Sequence, residues 1–247
     1  MIRSGNEDNY AANATGQQGL FIVADGMGGH AAGEVASEMA VQTVERELHG
    51  VRDLDDGTTT GKLAESVKKA NRTIHDRTIT EVDKQGMGTT VSVLLLTVTK
   101  YLIGQVGDSR VYLLRDGALQ QLTKDHSYVQ EQVDAGFLTP EQARYHPYSN
   151  VITRCVGASP EVEPDVYSGE VRVGDLYLVA SDGLTGMVDD RRLQMLLMSR
   201  AEPERKVHAL IAEANGRGGL DNITAIVVQV IPDDEQTNTP TQQIPKQ

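Results

Sequence analysis

The stretch Leu-Phe-Ile-Val-Ala-Asp-Gly-Met-Gly-Gly at residues 20–29 joins a short apolar run to an abrupt turn. The apolar residues 20–24 have the length of a buried strand, and Asp25-Gly26 is typical of the turn that ends one. Apolar residues then recur at helical spacing from Glu34 to His49, and again from Gly61 to about Thr80. A buried strand followed by two amphipathic helices predicts a sheet that is covered by helices.

The rest of the chain alternates between the same two kinds of element. Further strands are predicted at residues 90–99, 101–106, 110–114, 118–122, 166–173, 176–180 and 222–231. Short helices are predicted at residues 127–136 and 140–145, and longer ones at 189–198 and 203–215. Together these elements predict an α+β domain of layered sheets and helices. Residues 232–247 are polar and we expect them to be disordered.

Composition narrows the class of protein. The chain has 247 residues with 23 Lys and Arg against 35 Asp and Glu, a net charge of −12. Proteins that bind nucleic-acid backbones need a basic surface, so we expect no nucleic-acid partner. The single cysteine, Cys155, excludes an internal disulfide and a multi-cysteine zinc site. No apolar run approaches the roughly 20 residues of a membrane span, and we expect a cytoplasmic protein without a membrane segment.

Four short motifs place an aspartate beside a glycine or a small polar residue at the end of a strand. They centre on Asp25, Asp108, Asp182 and Asp221, and Glu7 and Asp8 add two carboxylates near the N-terminus. Mg²⁺ and Mn²⁺ prefer carboxylate, carbonyl and water oxygens. A glycine after the aspartate lets a main-chain carbonyl approach the same ion. Because Asp-Gly is also a common turn dipeptide, spacing alone leaves both a metal cluster and a set of turns open.

The order of the motifs resembles that of a known family, the bacterial branch of the metal-dependent protein phosphatases of type 2C (the PPM family). The motifs that carry the resemblance are Arg3 with Asn6-Glu7-Asp8, Asp25-Gly26-Met27-Gly28-Gly29-His30, Gly88-Thr89-Thr90, Gly107-Asp108-Ser109-Arg110, Leu122-Thr123-Lys124-Asp125-His126-Ser127, Ser181-Asp182-Gly183-Leu184 and Asp221-Asn222-Ile223-Thr224. Each motif is weak alone, but as an ordered set they are specific and span nearly the whole chain.

The resemblance implies a fold and a set of ligands. The fold is a β-sandwich of two antiparallel sheets, flanked by pairs of antiparallel helices in a four-layer αββα order. Two Mn²⁺ or Mg²⁺ ions lie at one end, with Asp25 bridging them and the carbonyl of Gly26 binding one. Asp182 and Asp221 complete the ligands of the other ion, Glu7 and Asp8 act through water, and Asp108 contributes to a third, weaker site.

The resemblance also implies an activity. A hydroxide that bridges the ions attacks phosphoserine or phosphothreonine in line, while Arg3 grips the phosphate. His30 is the candidate for protonating the leaving oxygen, with a hydrogen-bonding role as the alternative, since the family's eukaryotic members place their histidine directly after Asp-Gly. We expect the substrates to be phosphorylated proteins, the opposing enzyme to be a bacterial serine/threonine kinase, and the chain to be a monomer.

The expected catalytic domain covers residues 1–231, with a flap at about 127–160 in which Arg144, Tyr145 and His146 are candidates for contacting substrate. The family's usual first strand precedes the arginine, whereas only two residues precede Arg3. We expect either that the start is trimmed or mis-assigned or that this strand is missing. Ser127 is a candidate N-cap, and we expect His126 to be structural and Cys155 to serve packing.

Three alternatives stand beside this interpretation. Gly107-Asp108-Ser109 resembles the opening of an esterase triad motif, but it lies mid-chain and lacks a late Asp-x-x-His. Residues 57–63 imitate a phosphate loop with the wrong spacing and no preceding strand, so we expect a plain loop. The third alternative is a catalytically silent family member that acts as a binding or regulatory module. The presence of Asp25, Asp182 and Asp221 argues against it.

Overall fold

In the computed structural model, the structure describes residues 5–232, except for the side chains of His30 and Ala31. Arg3, the residues before it and residues 233–247 therefore lie outside the described residues, so the expectations for Arg3, for the family's first strand and for the polar tail stay predictions. No helix in the described part is long and apolar enough to cross a membrane.

The larger sheet is antiparallel and contains the opening stretch of the sequence. Its strands are β1 (Asp8–Ala14), β2 (Gln18–Met27), β3 (Gly88–Thr89), β4 (Val91–Thr97), β5 (Lys100–Val106) and β8 (Asp165–Glu170). Their spatial order is β1-β2-β4-β5-β8, and β3 pairs with the end of β2. Strand β2 is therefore an inner strand, with the edge strand β1 on one side and β4 on the other.

The smaller sheet faces the larger one. It consists of β6 (Arg110–Arg115), β7 (Ala118–Gln121), β9 (Leu176–Ala180) and β10 (Ala225–Gln229). The order is β10-β9-β6-β7, and every pair is antiparallel. The hairpin between β6 and β7 turns at Asp116-Gly117, where both residues have positive φ.

Helices cover both outer faces of the sandwich. Helices α1 (His30–Leu48) and α2 (Thr59–Thr80) pack on the larger sheet, and a single 3₁₀ turn follows at Val82–Lys84. Helices α5 (Asp182–Thr185), α6 (Asp190–Leu197) and α7 (Pro203–Gly216) pack on the smaller one. Two short helices, α3 (Tyr128–Asp134) and α4 (Pro140–Arg144), lie in the expected flap. Each main helix pair thus buries its apolar face against one sheet.

Strand β2 shows why the apolar run decides the fold. Successive side chains of a strand point to opposite faces. Ile22 and Ala24 join the core under α1 and α2, whereas Phe21 and Val23 join the core between the two sheets. A third core lies between the smaller sheet and its helices. The predicted four-layer α+β sandwich is confirmed.

Three local predictions differ from the structure. No strand was predicted at residues 8–14, yet β1 pairs with β2 along its whole length. Its sequence Asp-Asn-Tyr-Ala-Ala-Asn-Ala lacks β-branched residues, so only pairing with β2 makes it a strand. Helix α1 begins at His30 rather than Glu34. The first turn of α2 includes Thr59–Lys62, which the sequence assigned in part to a loop.

Candidate metal centre

The aspartates of the four motifs meet at one end of the sandwich. Asp8 begins β1 and stands directly opposite Asp25 near the end of β2. Asp108 follows β5, and Asp182 follows β9 as the first residue of α5. Asp221 precedes β10, whose first residue Ala225 pairs with Ala180 at the end of β9. The strand pairing therefore brings together residues that are far apart in the sequence.

Their electrostatics show that these carboxylates form one cluster. Burial raises the pKa of Asp25 well above its usual value, and the charges of Asp8, Asp182 and Asp108 raise it further. Burial raises the pKa of Asp8 to about 6, with Asp182 and Asp221 adding to the effect. Burial and Asp182 also raise the pKa of Asp108. Like charges at close range have this effect when no cation lies among them.

The donor set fits hard divalent cations. Asp8 Oδ1 and Asp108 Oδ1 are buried and accept no hydrogen bond from the described residues. Within residues 5–232 no three acidic, histidine or cysteine side chains are arranged so that, as they stand, they could hold a metal ion. The raised pKa values express the cost of burying several negative charges together, and Mn²⁺ or Mg²⁺ would relieve that repulsion. The predicted ligands thus suit the predicted ions.

Two hydroxyl groups orient Asp8. Its Oδ2 accepts hydrogen bonds from Ser181 Oγ at 2.8 Å and from Thr224 Oγ1 at 2.7 Å. The Thr224 amide donates in turn to Ser181 Oγ at 3.0 Å, which fixes that hydroxyl. Oδ2 is therefore held by the protein, while Oδ1 keeps its lone pairs for another ligand. Ser181 and Thr224 stood in the quoted motifs without a role, and their signal was a hydroxyl beside or near an aspartate.

Threonine hydroxyls also hold Asp25, but by its main chain and not by its side chain. The Asp25 amide donates to Thr90 Oγ1 at 2.9 Å, and Thr89 Oγ1 donates to the Asp25 carbonyl at 2.9 Å. Thr90 Oγ1 lies 2.8 Å from Ser109 Oγ, which connects Asp25 to the residue after Asp108. These contacts fix the main chain of Asp25 from both sides.

Gly26 lies where the backbone of three segments comes close together. A Cβ at Gly26 would lie 2.1 Å from the carbonyl oxygen of Gly33 and 2.6 Å from that of Glu7. The Gly26 amide donates to the Glu7 carbonyl at 3.1 Å, and the Glu7 amide donates to Asn222 Oδ1 at 2.9 Å. Only glycine fits this position, which agrees with a main-chain approach to an ion.

Not every predicted residue can be placed. Arg3 and the side chain of His30 lie outside the described residues, so their roles remain predictions. In the flap, Arg144 Nη2 donates to the Gly186 carbonyl at 3.1 Å, next to α5. Tyr145 is 79% exposed, and His146 packs against Tyr128 and Tyr148. Contact of this flap with a substrate also stays a prediction.

Other sequence expectations are settled by contacts. Ser127 caps α3 by accepting a hydrogen bond from the Gln130 amide at 3.3 Å. Ser109 is completely buried against Thr90, so the esterase alternative has no accessible nucleophile in it. Cys155 is partly buried, and burial raises the pKa of its thiol, which opposes a nucleophilic role.

Comparison with known proteins adds a second line of findings. The family model described as "Protein phosphatase 2C" matches residues 3–214. Serine/threonine protein phosphatase PstP of Mycobacterium tuberculosis is 41% identical over 231 residues, which are 94% of this chain and 43% of that protein. The chain therefore spans less than half of that relative.

Two further comparisons cover more than nine-tenths of both proteins compared. Serine/threonine phosphatase stp of Listeria monocytogenes is 38% identical, over 92% of this chain and 91% of that protein. The solved structure of the catalytic domain of PstP in complex with two manganese ions superposes with a TM-score of 0.82. It is 39% identical and covers 94% of each chain.

Proposed function

The chain belongs to the protein phosphatase 2C family, and from that premise we propose that it hydrolyses phosphoserine and phosphothreonine in proteins with Mn²⁺ or Mg²⁺. The comparisons confirm the family and the enzyme class predicted from the sequence. The observation that carries the proposal is the cluster of Asp8, Asp25, Asp108, Asp182 and Asp221 at the end of the sandwich, in which burial and acidic neighbours raise the pKa of Asp8, Asp25 and Asp108.

The chain's own residues divide the work between ions and substrate. Asp25, with the carbonyl of Gly26, would hold two ions, and Asp182 and Asp221 would complete the ligands of one of them. Glu7 and Asp8 would hold ion-bound waters, and Asp108 a third ion. Two bound ions supply an acidified water nucleophile and neutralise the charge of the phosphoryl oxygens. The remaining tasks of the protein are to position the substrate and to supply one proton to the leaving oxygen.

Two residues would act on the substrate itself. Arg3 would bind the phosphate through its planar guanidinium, which matches phosphate oxygens in pairs. His30, the first residue of α1, would give a proton to the leaving serine or threonine oxygen, or else hydrogen-bond within the site. The proton matters because an alkoxide is a poor leaving group at neutral pH.

The reaction also indicates the partners. A phosphoserine or phosphothreonine substrate must come from a serine/threonine kinase, so such a kinase would work in opposition to this chain. Because kinases draw on nucleoside triphosphates, the shared compartment would be the cytoplasm. We expect the catalytic unit to be residues 1–231 acting as a monomer.

The direct test is hydrolysis of p-nitrophenyl phosphate and of a panel of phosphoserine, phosphothreonine and phosphotyrosine peptides, with and without Mn²⁺. We expect turnover that depends on Mn²⁺ and falls by a factor of at least about a thousand in Asp221→Ala, since each ion supplies several kcal/mol of stabilisation. Asp116→Asn is the matched control, because Asp116 lies in the exposed β6–β7 hairpin away from the cluster. Absence of Mn²⁺-dependent turnover would overturn the proposal and leave a silent family member, and full activity in Asp221→Ala would overturn the role of the cluster in catalysis.

A further inference from the structure

Gly107, which precedes Asp108, has both of its main-chain polar groups bonded to one histidine. The Gly107 amide donates to His126 Nδ1 at 3.1 Å, and the His126 amide donates to the Gly107 carbonyl at 2.9 Å. His126 is only 6% exposed. A reciprocal pair of this kind fixes the orientation of the peptide that leads into Asp108.

The backbone conformation of Gly107 explains why its fixed orientation matters for Asp108. Gly107 has φ of +102°, and a Cβ there would lie 2.6 Å from the side chain of Thr90. This tight left-handed turn determines the position and direction of the next residue, Asp108. Asp108 Oδ1 is buried without a hydrogen-bond partner among the described residues, so no direct contact at that atom holds it.

The hydrogen bonds require one tautomer of the ring. Because the Gly107 amide is a donor, His126 Nδ1 must be the acceptor and carries no proton. The neutral ring then bears its proton on Nε2, and Nε2 lies 3.2 Å from Asp165 Oδ2. Asp165 is itself held by Arg154, whose Nη1 lies 2.7 Å from Oδ1. Nε2 is buried and forms no hydrogen bond with the described residues, so the carboxylate of Asp165 acts through its charge. That charge favours a proton on Nε2 and therefore the tautomer that Gly107 needs.

His126 also stands at the root of the flap. The Thr153 amide donates to the His126 carbonyl at 2.9 Å, and Ser127 forms an isolated β-bridge with Ile152. The start of the flap and residues 152–153 in its later part thus meet beside the residue that holds Gly107. The Asp165–His126–Gly107 chain of contacts links β8, the flap and the Asp108 turn.

We propose that His126 is a positioning residue for Asp108, acting through Gly107 in the tautomer that Asp165 selects. The inference rests on the proposed function in one respect, the binding of an ion at Asp108. It assigns His126 no contact with substrate or ion. Its effect falls on the weaker ion site and leaves the ligands of the two core ions in place.

The test separates the two ring nitrogens. In a histidine-to-asparagine change the amide oxygen can take the place of Nδ1, whereas glutamine places its polar group nearer to Nε2. We therefore expect His126→Asn to keep Gly107 amide exchange and Mn²⁺ affinity close to wild type. His126→Gln should speed exchange of the Gly107 amide and weaken the weakest Mn²⁺ site, each by about tenfold. Isothermal titration with Mn²⁺ and hydrogen exchange report these values without any turnover.

Asp165→Asn supplies a second variant that never touches Gly107. Asparagine can donate to Nε2 and so favour the opposite tautomer, and we expect it to reproduce the effect of His126→Gln. ¹⁵N NMR of the imidazole ring should show a protonated Nε2 in the wild type and a loss of that state in Asp165→Asn. His208→Asn is the control, since His208 lies on α7 with its side chain 61% exposed.

The possible results decide between the ideas. Equal behaviour of His126→Asn and His126→Gln, or unchanged Gly107 exchange in Asp165→Asn, would overturn the positioning role. Failure of wild-type turnover with Mn²⁺ would overturn the proposed function while leaving the Gly107 and tautomer measurements intact. The two failures are therefore distinguishable.

Discussion

The aspartates at the two ends of strand β9 have opposite electrostatic surroundings. Asp175 precedes the strand, is 1% exposed, and receives a paired contact from Arg115 through Nε at 2.8 Å and Nη2 at 2.7 Å. Asp182 follows the strand and faces other carboxylates. One strand of five residues thus separates a neutralised carboxylate from a cluster of like charges.

The pKa directions express the same contrast. Burial alone would raise the pKa of Asp175, but hydrogen bonds from Arg115 and from the Arg172 amide outweigh it and the pKa lies below its usual value. The pKa of Asp25 lies well above its usual value, because burial and its acidic neighbours act together. The Asp175 end therefore stabilises the folded state, whereas the Asp25 end costs stability until a cation binds.

The largest effect that would break this comparison is on catalysis. We expect Asp25→Asn to lower Mn²⁺-dependent kcat by at least about a thousandfold, about 4 kcal/mol in the activation barrier. The metal-free variant should be no less stable than the wild type, because one of the mutually repelling charges is gone. Steady-state assays and urea unfolding measure the two quantities. A clear loss of stability in the metal-free variant would show that Asp25 supports the fold.

The same substitution at the other end should have the opposite pattern. Asp175→Asn leaves Arg115 without its buried partner, and we expect a loss of about 3 kcal/mol in the free energy of unfolding. The kcat of the folded fraction should stay within about twofold of wild type, since Asp175 lies at the far end of β9. Urea unfolding beside phosphatase assays at low temperature checks both. Unchanged stability would mean that the Arg115 pair contributes nothing net.

Metal binding should affect the stability of the two variants differently. At a Mn²⁺ concentration of about 100 times the dissociation constant, the wild type should gain about 2.7 kcal/mol of stability by mass action. Asp175→Asn should gain the same amount of stability from Mn²⁺, whereas Asp25→Asn should lose most of this gain. Thermal melts with and without Mn²⁺ measure the gain. A melting temperature indifferent to Mn²⁺ in the wild type would contradict the whole site.

The smallest effect concerns acid. Because the folded-state pKa of Asp175 is lowered, its stabilisation is fully present above its unfolded value of about 3.9 and is lost as pH falls through the folded value. The difference in unfolding free energy between wild type and Asp175→Asn should therefore shrink steadily below about pH 4. Urea titrations from neutral to acid pH follow it. A constant difference down to the acid limit would assign the loss to packing instead of charge.

How far the sequence went can be judged from particular residues. The apolar runs and the helical spacing predicted a layered α+β domain, because both depend on local pattern, whereas the sandwich followed from the family resemblance that the ordered Asp motifs carry. The partners of those residues depend on strand pairing across the molecule. Nothing near Asp8 in the chain indicates that Ser181 and Thr224 hold it, since they lie 173 and 216 residues away.

Strand β1 shows a related limit. Its residues carry neither alternation nor β-branched side chains, and the pairing of Asp8 with Asp25 exists only because β2 offers a free edge. His126 is a third case. Its motif indicated a structural residue, but its reciprocal bonds to Gly107 join two segments 19 residues apart. Local sequence thus predicted which residues matter and left open what each of them touches.

The contacts that join Asp8 to Thr224, and Glu7 to Asn222, have a consequence for synthesis. Residues 7 and 8 leave the ribosome more than 200 positions before their partners do. Closing so long a loop comes late in folding, because its entropy must be met before the contact can repay it. The nascent chain can build most of its first sheet and both of that sheet's helices while its ion site is still incomplete. We therefore expect the ion site to be completed last, when β10 pairs with β9.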